Sequence, residues 1–135
     1  MKLTLSNSDY RFMMILWDNE PVASGVLAEM CLEKLGWKKS TTYTVIKRLI
    51  DKGFVKNEKT IVTACVAKED CQREEARAFI DRAFGGSLPD FLATFLGSRG
   101  ISEEEEREIR EIIDRHSGSR EKASDTAFIF SLKIR

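Results

Sequence analysis

The chain has 135 residues and sets 22 Lys and Arg against 22 Asp and Glu, a formal net charge of zero. That balance speaks against indiscriminate nucleic-acid binding. An apolar fraction of 42%, with no run of about 18 apolar residues, speaks against a membrane span and for one soluble domain, or a small domain with an appendage. Met1–Tyr10 lacks the basic start and apolar stretch of a signal peptide, so a cytoplasmic location is expected.

The first predicted helix is Leu5–Trp17. Ser6 is its N-cap, with Asp9 three residues on as a carboxylate variant of the capping box. Tyr10, Met13, Met14 and Trp17 recur at helical spacing, and Phe12, Ile15 and Leu16 make the helix apolar nearly all round. Such a helix belongs at the centre of a core. Pro21 forbids its continuation. From Ser24 the helical period returns in Leu27, Met30, Cys31 and Leu35, and Gly36 closes the second helix.

A third helix is predicted over Ser40–Lys52, with Val45, Ile46, Leu49 and Ile50 as its apolar stripe and Gly53 ending it. Thr41, Thr42, Thr44, Lys47, Arg48 and Asp51 fall mostly on its other faces. Around it, Lys38, Lys39, Lys47, Arg48, Lys52, Lys56 and Lys59 meet only Asp51 and Glu58 between Trp37 and Lys59. Short hydroxyls near a helix start, ringed by cations, suit the major groove, where hydroxyls meet base edges and cations meet phosphates. Ser40, Thr41, Tyr43 and Thr44 are therefore the candidates for base readout. The phosphate candidates are Lys38, Lys39, Lys47, Arg48, Lys52, Lys56 and Lys59, although Arg48 could instead pair with a nearby carboxylate. Trp37 reads as a packing residue.

After Gly53 the pattern turns β-prone. Phe54–Lys56, a polar Asn57-Glu58-Lys59 turn and the β-branched Thr60–Val66 predict a hairpin, the wing of a winged helix-turn-helix.

Three helical stripes follow. Ala76, Phe79, Ile80, Ala83 and Phe84 end at Gly85-Gly86. Leu88, Phe91, Leu92, Phe95 and Leu96 follow Ser87. Ile109, Ile112 and Ile113 follow a capping box of Ser102 and Glu105. So many large apolar residues on short helices cannot close a core of their own, and a second copy of the chain is the simplest cover. Phe79, Ile80, Phe84, Leu88, Phe91, Leu92, Phe95, Leu96, Ile109, Ile112 and Ile113 are thus the candidate dimerisation residues. The expected fold is mainly α with a small β-hairpin. Its parts are a winged-helix DNA-binding domain at 1–70, a helical dimerisation region at 71–118 and a tail at 119–135 with no assigned role.

Metal and enzyme chemistry find little support. Cys31, Cys65 and Cys71 have no CxxC spacing, His116 is the single histidine, and no phosphate loop or nucleophile turn is present. No metal site and no cofactor are expected. Ser102–His116 carries seven carboxylates against three arginines, which reads as a solvated helix rather than an active site. The rival from another class is a winged-helix protein-interaction module that does not read DNA sequence.

Taken together, MxILW at the end of the first helix, Trp37…Thr41…Thr44…Lys47-Arg48-Leu49…Lys52-Gly53 and the Phe84-Gly85-Gly86 break carry a resemblance over about residues 3–117. The chain resembles the BlaI/MecI-type penicillinase repressors, which include copper-responsive repressors of the CopY type. The resemblance implies a homodimeric winged-helix repressor on an inverted-repeat operator in double-stranded DNA. In the penicillinase branch it also implies release by proteolysis of the dimerisation region, after antibiotic sensing by a membrane-bound sensor protease. The chain departs from the family pattern in several places. Ser40 stands where a basic residue is common and Tyr43 where Arg is common, so the operator sequence is expected to differ from the TACA/TGTA type. The wing is short. The Asn-Phe cleavage point aligns with Thr94-Phe95, keeping Phe and losing Asn. The C-terminal CxC of the copper branch is absent.

Overall fold

The computed structural model describes residues 2–117, so the expected tail at 119–135 lies outside the described residues. The element order is α1 (Asn7–Asn19), β1 (Val22–Ala23), α2 (Ser24–Leu35), α3 (Lys39–Asp51), β2 (Val55–Glu58), β3 (Ile61–Ala64), α4 (Lys68–Phe84) and α5 (Leu88–Arg99). A sixth helix, α6, runs over residues 103–117. The fold is mostly helical with one small antiparallel sheet, as the sequence predicts. The chain forms two compact units, Met1–Ser87 and one beginning at Leu88. The first takes in all of α4, whose start packs into its core. Cys71 is fully buried in that unit's core, and Glu75 accepts a hydrogen bond from Leu5 N–H at 2.8 Å.

In α1, Ser6 Oγ caps the helix by accepting from Asp9 N–H at 3.2 Å. The other half of the expected capping box does not form. The Asp9 carboxylate is buried and is paired instead with the Arg48 guanidinium of α3. Phe12, Met13 and Leu16 are fully buried, and the Phe12 and Trp37 rings stack nearly parallel at 6.3 Å. Trp37 is thus a packing residue, as read from the sequence. Trp17 also serves the fold, donating its indole N–H to the Val66 carbonyl at 3.1 Å.

Gly36 closes α2 in the left-handed region, at φ 73°. Its N–H bonds Leu32 O and the Trp37 N–H bonds Cys31 O, so the chain enters α3 after a three-residue turn. Along α3 the buried residues are Thr42, Val45, Ile46 and Leu49, at i, i+3, i+4 and i+7. This corrects the expected stripe by one position: Thr42 is inside and Ile50 is 39% exposed. The buried Thr42 hydroxyl has no hydrogen-bond partner of normal geometry, and the Cys31 thiol is the polar group facing it.

The sheet has three strands in the order β1-β3-β2, one more than the hairpin expected. Val22 pairs with Val62 and Ala23 with Ile61, which ties the start of α2 to the wing. The wing's turn is tighter and one residue later than expected. Glu58 pairs with Ile61, leaving Lys59 and Thr60 as a two-residue loop with φ 52° and 67°. The Thr60 carbonyl accepts from Ser24 N–H at 2.8 Å, so the tip is fastened to the body.

Burial gives this unit an alkaline limit. Burial pushes up the Cys31 thiol, against a smaller opposite effect from the Thr42 hydroxyl. The Cys71 thiol rises by burial, with Asp70 and Glu75 adding to it, and the Tyr10 phenol by burial, then Glu75 and Cys71. In the unfolded chain these groups return to about 9.0 and 10.0, so the unfolded state loses the protons first. Their contribution is intact below about pH 9 and lost as pH rises through the folded values. Urea unfolding should show stability falling above about pH 9, with a shallower fall in Tyr10→Phe. An unchanged slope would remove Tyr10 from the account.

Candidate nucleic-acid interface

Because Thr42, Val45, Ile46 and Leu49 face the core, the opposite line of α3 is Ser40, Thr44, Lys47 and Asp51, at i, i+4, i+7 and i+11. All four are exposed. Thr44 Oγ1 donates its one proton to the Ser40 carbonyl at 3.0 Å. Toward solvent it presents lone pairs and a methyl group.

On one flank of this line, Lys39 reaches Glu29 of α2 at 3.8 Å. Tyr43, 46% exposed, lies beside the first turn of α2, where a Cβ added to Gly25 would sit 3.9 Å from the phenol oxygen. On the other flank stand Thr41, exposed, and Arg48, whose guanidinium holds buried Asp9. Ser40 and Thr44 thus lie centrally, while Thr41 and Tyr43 lie at the edges. The sequence put all four on an equal footing.

The cations divide in two. Among the described residues, Lys38, Lys47, Lys52 and Lys59 are exposed and have no ion-pair partner. Lys39, Arg48 and Lys56 each have one, Lys56 meeting Glu58 at 3.7 Å. The two lysine pairs are solvent-exposed, so they compete weakly with a phosphate. Arg48 differs, because its partner is buried. Lys38 is the N-cap of α3 and no side chain caps the helix there; the Thr41 N–H bonds the Lys38 carbonyl at 2.9 Å, which leaves the Lys39 and Ser40 amides open to an anion. Asp9 is the residue that sequence reasoning missed here. No local signal marks a partner 39 positions away.

The candidate dimerisation residues fall in both units. Phe79, Ile80 and Phe84 lie on α4 in the first, with the Phe79 and Phe84 rings edge to face at 5.9 Å. The others lie on α5 and α6, and no residue of α5 is buried. There Leu92, Leu96, Ile101, Ile109 and Ile113 line an apolar groove of about 220 Å³, with Glu106 and Arg110 at its rim. Leu88, Phe95, Ile112 and Ile113 are also exposed, and Phe91 stacks on Phe95 at 5.8 Å. Thr94 and Phe95 sit inside α5, so a protease would have to unwind the helix to hold that bond extended. No group of three His, Cys, Asp or Glu among the described residues is placed to hold a metal. No helix among them is long and apolar enough to cross a membrane.

The profile of the family described as Penicillinase repressor matches residues 5–115. The chain belongs to the penicillinase repressor family. It is 25% identical over 116 residues to the methicillin resistance regulatory protein MecI of Staphylococcus aureus (strain Mu50 / ATCC 700699), an alignment covering 82% of this chain and 94% of that one. It is 22% identical over 116 residues to the penicillinase repressor of Bacillus licheniformis, covering 83% and 91%. A MecI of Mammaliicoccus sciuri is 23% identical over 115 residues, covering 82% and 94%. Membership therefore spans both compact units, not only the winged helix.

Proposed function

We propose that the chain is a DNA-binding transcriptional repressor that acts as a homodimer on an inverted-repeat operator, laying α3 of each protomer in the major groove. The carrying observation is the polar line Ser40, Thr44 and Lys47 opposite the buried face of α3, with an uncapped helix start and unpaired Lys38, Lys47, Lys52 and Lys59 around it. Names of the relatives, repressors and resistance regulators, agree with this reading. Base readout falls to Ser40 and Thr44, with Thr41 and Tyr43 at the margins. Phosphate contact falls to Lys38, Lys39, Lys47, Arg48, Lys52, Lys56 and Lys59. The α5–α6 groove supplies a dimer contact, and Phe79, Ile80 and Phe84 of α4 are separate candidates for one. Release follows a signal that breaks this contact. In the penicillinase branch that signal is proteolysis at an Asn-Phe bond by a membrane-bound sensor protease; the aligned bond here is Thr94-Phe95, which lacks the Asn, so the releasing signal need not be that one.

Fluorescence anisotropy on the chain's own upstream DNA and on a scrambled duplex, across a salt series, tests the reading. A repressor should bind its site at roughly 10⁻⁸ to 10⁻¹¹ M, about 10³-fold or more above random DNA, with two protomers per site. Weak binding indifferent to sequence, both here and after selection from a random library, would favour the winged-helix protein-interaction module instead.

Base choice at one position has a physical expectation. Thr44 has given its proton to Ser40 O, so it can only accept from a base, which suits the amino groups of adenine or cytosine. Its methyl suits thymine. Thr44→Val keeps the methyl and removes the acceptor. It should cost about 1 kcal/mol per half-site on a sequence read by the hydroxyl, and relax the preference at that base pair alone. Uniform loss across all base pairs would mean that Thr44 does not read sequence.

A further inference from the structure

Arg48 is the one cation of the interface whose direction is fixed from inside the protein. Its side chain is 42% exposed, while that of Asp9 is 2% exposed. Asp9 is in turn held by α1, where its backbone N–H bonds the capping Ser6 hydroxyl. Among the described residues, Asp9 is the only hydrogen-bond or ion-pair partner of the Arg48 side chain. A guanidinium carries five N–H donors in a planar fork, and a carboxylate on one edge leaves others free. Arg48 stands half-exposed on the Thr41 flank of α3, one turn beyond Thr44 and beside the line Ser40–Thr44–Lys47. A helix lying in a major groove has a phosphate backbone along each flank.

We propose that Asp9 is a positioning residue for DNA recognition: it holds Arg48 across the α1–α3 seam so that the guanidinium's outer edge meets one backbone phosphate in each half-site. The proposal rests on the DNA-reading function above and deepens it. A free surface lysine brings charge to DNA but must give up side-chain freedom when it binds. Arg48 has already given up that freedom in the free protein. Because the neighbouring carboxylate offsets its charge, the contact acts through geometry more than through net charge. It fixes the register of α3 along the groove, which phosphate contacts are suited to do.

The test uses the full chain, its selected operator, and duplexes carrying one neutral methylphosphonate at successive backbone positions. For the wild type, one position per half-site, on the Thr41 flank, should cost about tenfold in affinity through the Arg48 contact. In Asp9→Asn and in Arg48→Gln that same position should cost nothing, while the sensitive positions near Lys38, Lys47 and Lys52 keep their cost. Each variant should bind unmodified operator about tenfold more weakly, and the double variant no more weakly than either one. A carboxylate that served only the fold would not abolish sensitivity at a single phosphate. Additive losses in the double variant would overturn the proposal. So would tighter binding by Asp9→Asn, which would mean that the carboxylate holds Arg48 back from DNA. Should Asp9→Asn melt below the assay temperature, Arg48→Lys is the second variant, since it keeps the charge and loses the fork. It should lose sensitivity at the same phosphate, and retained sensitivity overturns the proposal. A wild type that binds no duplex in sequence-specific fashion defeats the repressor reading together with this inference. Specific binding without an Arg48-dependent phosphate defeats the inference alone.

Discussion

An Ile113→Glu chain should sediment as a monomer and bind its operator at least about a hundredfold more weakly than the wild type. Ile113 is 51% exposed and lines the α5–α6 groove with Leu92, Leu96 and Ile109. A groove of this kind stays in water only if nothing covers it, and covering four large aliphatic side chains is favourable by roughly 1.5–3 kcal/mol for each one fully buried. Glutamate among these side chains would have to be desolvated when the groove is covered, which costs several kcal/mol. Joining two reading heads raises affinity by roughly 10²–10⁴ when both half-sites are engaged, and a monomer forfeits that gain. The winged-helix unit should be untouched, so the α3 contacts and their salt dependence per protomer should persist on a single half-site. Ile113→Leu serves as the control and should remain dimeric. If Ile113→Glu stayed dimeric with operator affinity intact, the second unit would not hold the protomers together. The exposed Phe79 on α4 would be the next place to look.

The features legible in the sequence are those written at short range. Helical period, the Ser6 cap, the Gly36 stop and the change to β-branched residues after Gly53 all depend on neighbours within a few positions, and α1, α2, α3 and the wing lie close to where these signals put them. What was not legible depends on distant partners. Val22-Ala23 is too short to declare itself a strand, and it becomes one only because Ile61 and Val62 lie alongside. Asp9 had a plausible local use as half of a capping box, but its buried carboxylate pairs with Arg48 of α3 instead. Thr42 and Ile50 exchanged places for a related reason. Hydropathy ranks isoleucine as the core residue, but the face of α3 that packs inward is centred on Thr42, Val45, Ile46 and Leu49, which leaves Ile50 outside. That rotation matters for function, since it centres the outward line on Ser40, Thr44 and Lys47 and moves Thr41 and Tyr43 to the edges. A list of candidate readers can be drawn from composition. Their order of importance needs the buried face.

Lys47 follows as the most sensitive charge in the interface. It lies on the central line of α3, it is exposed, and among the described residues it has no ion-pair partner. Each phosphate contact adds about −0.9 to the slope of log K against log salt, so a dimer that loses one per protomer should lose nearly two units of slope. Lys47→Glu goes further, since it sets a carboxylate against the phosphate and beside Asp51, one turn away on the same line. The expected loss is at least about a hundredfold at 0.1 M salt, specific and random DNA alike, shrinking as salt screens the repulsion. Stability should hardly change, because the residue supports no buried group. The same charge reversal at Arg107, on α6 in the second unit, should leave both slope and affinity near wild type. Anisotropy titrations of both variants from about 0.05 to 0.3 M salt make the comparison. If Lys47→Glu kept its slope while Arg107→Glu lost two units, the basic helix would not be the DNA-facing surface, and α3 would be an ordinary solvated helix.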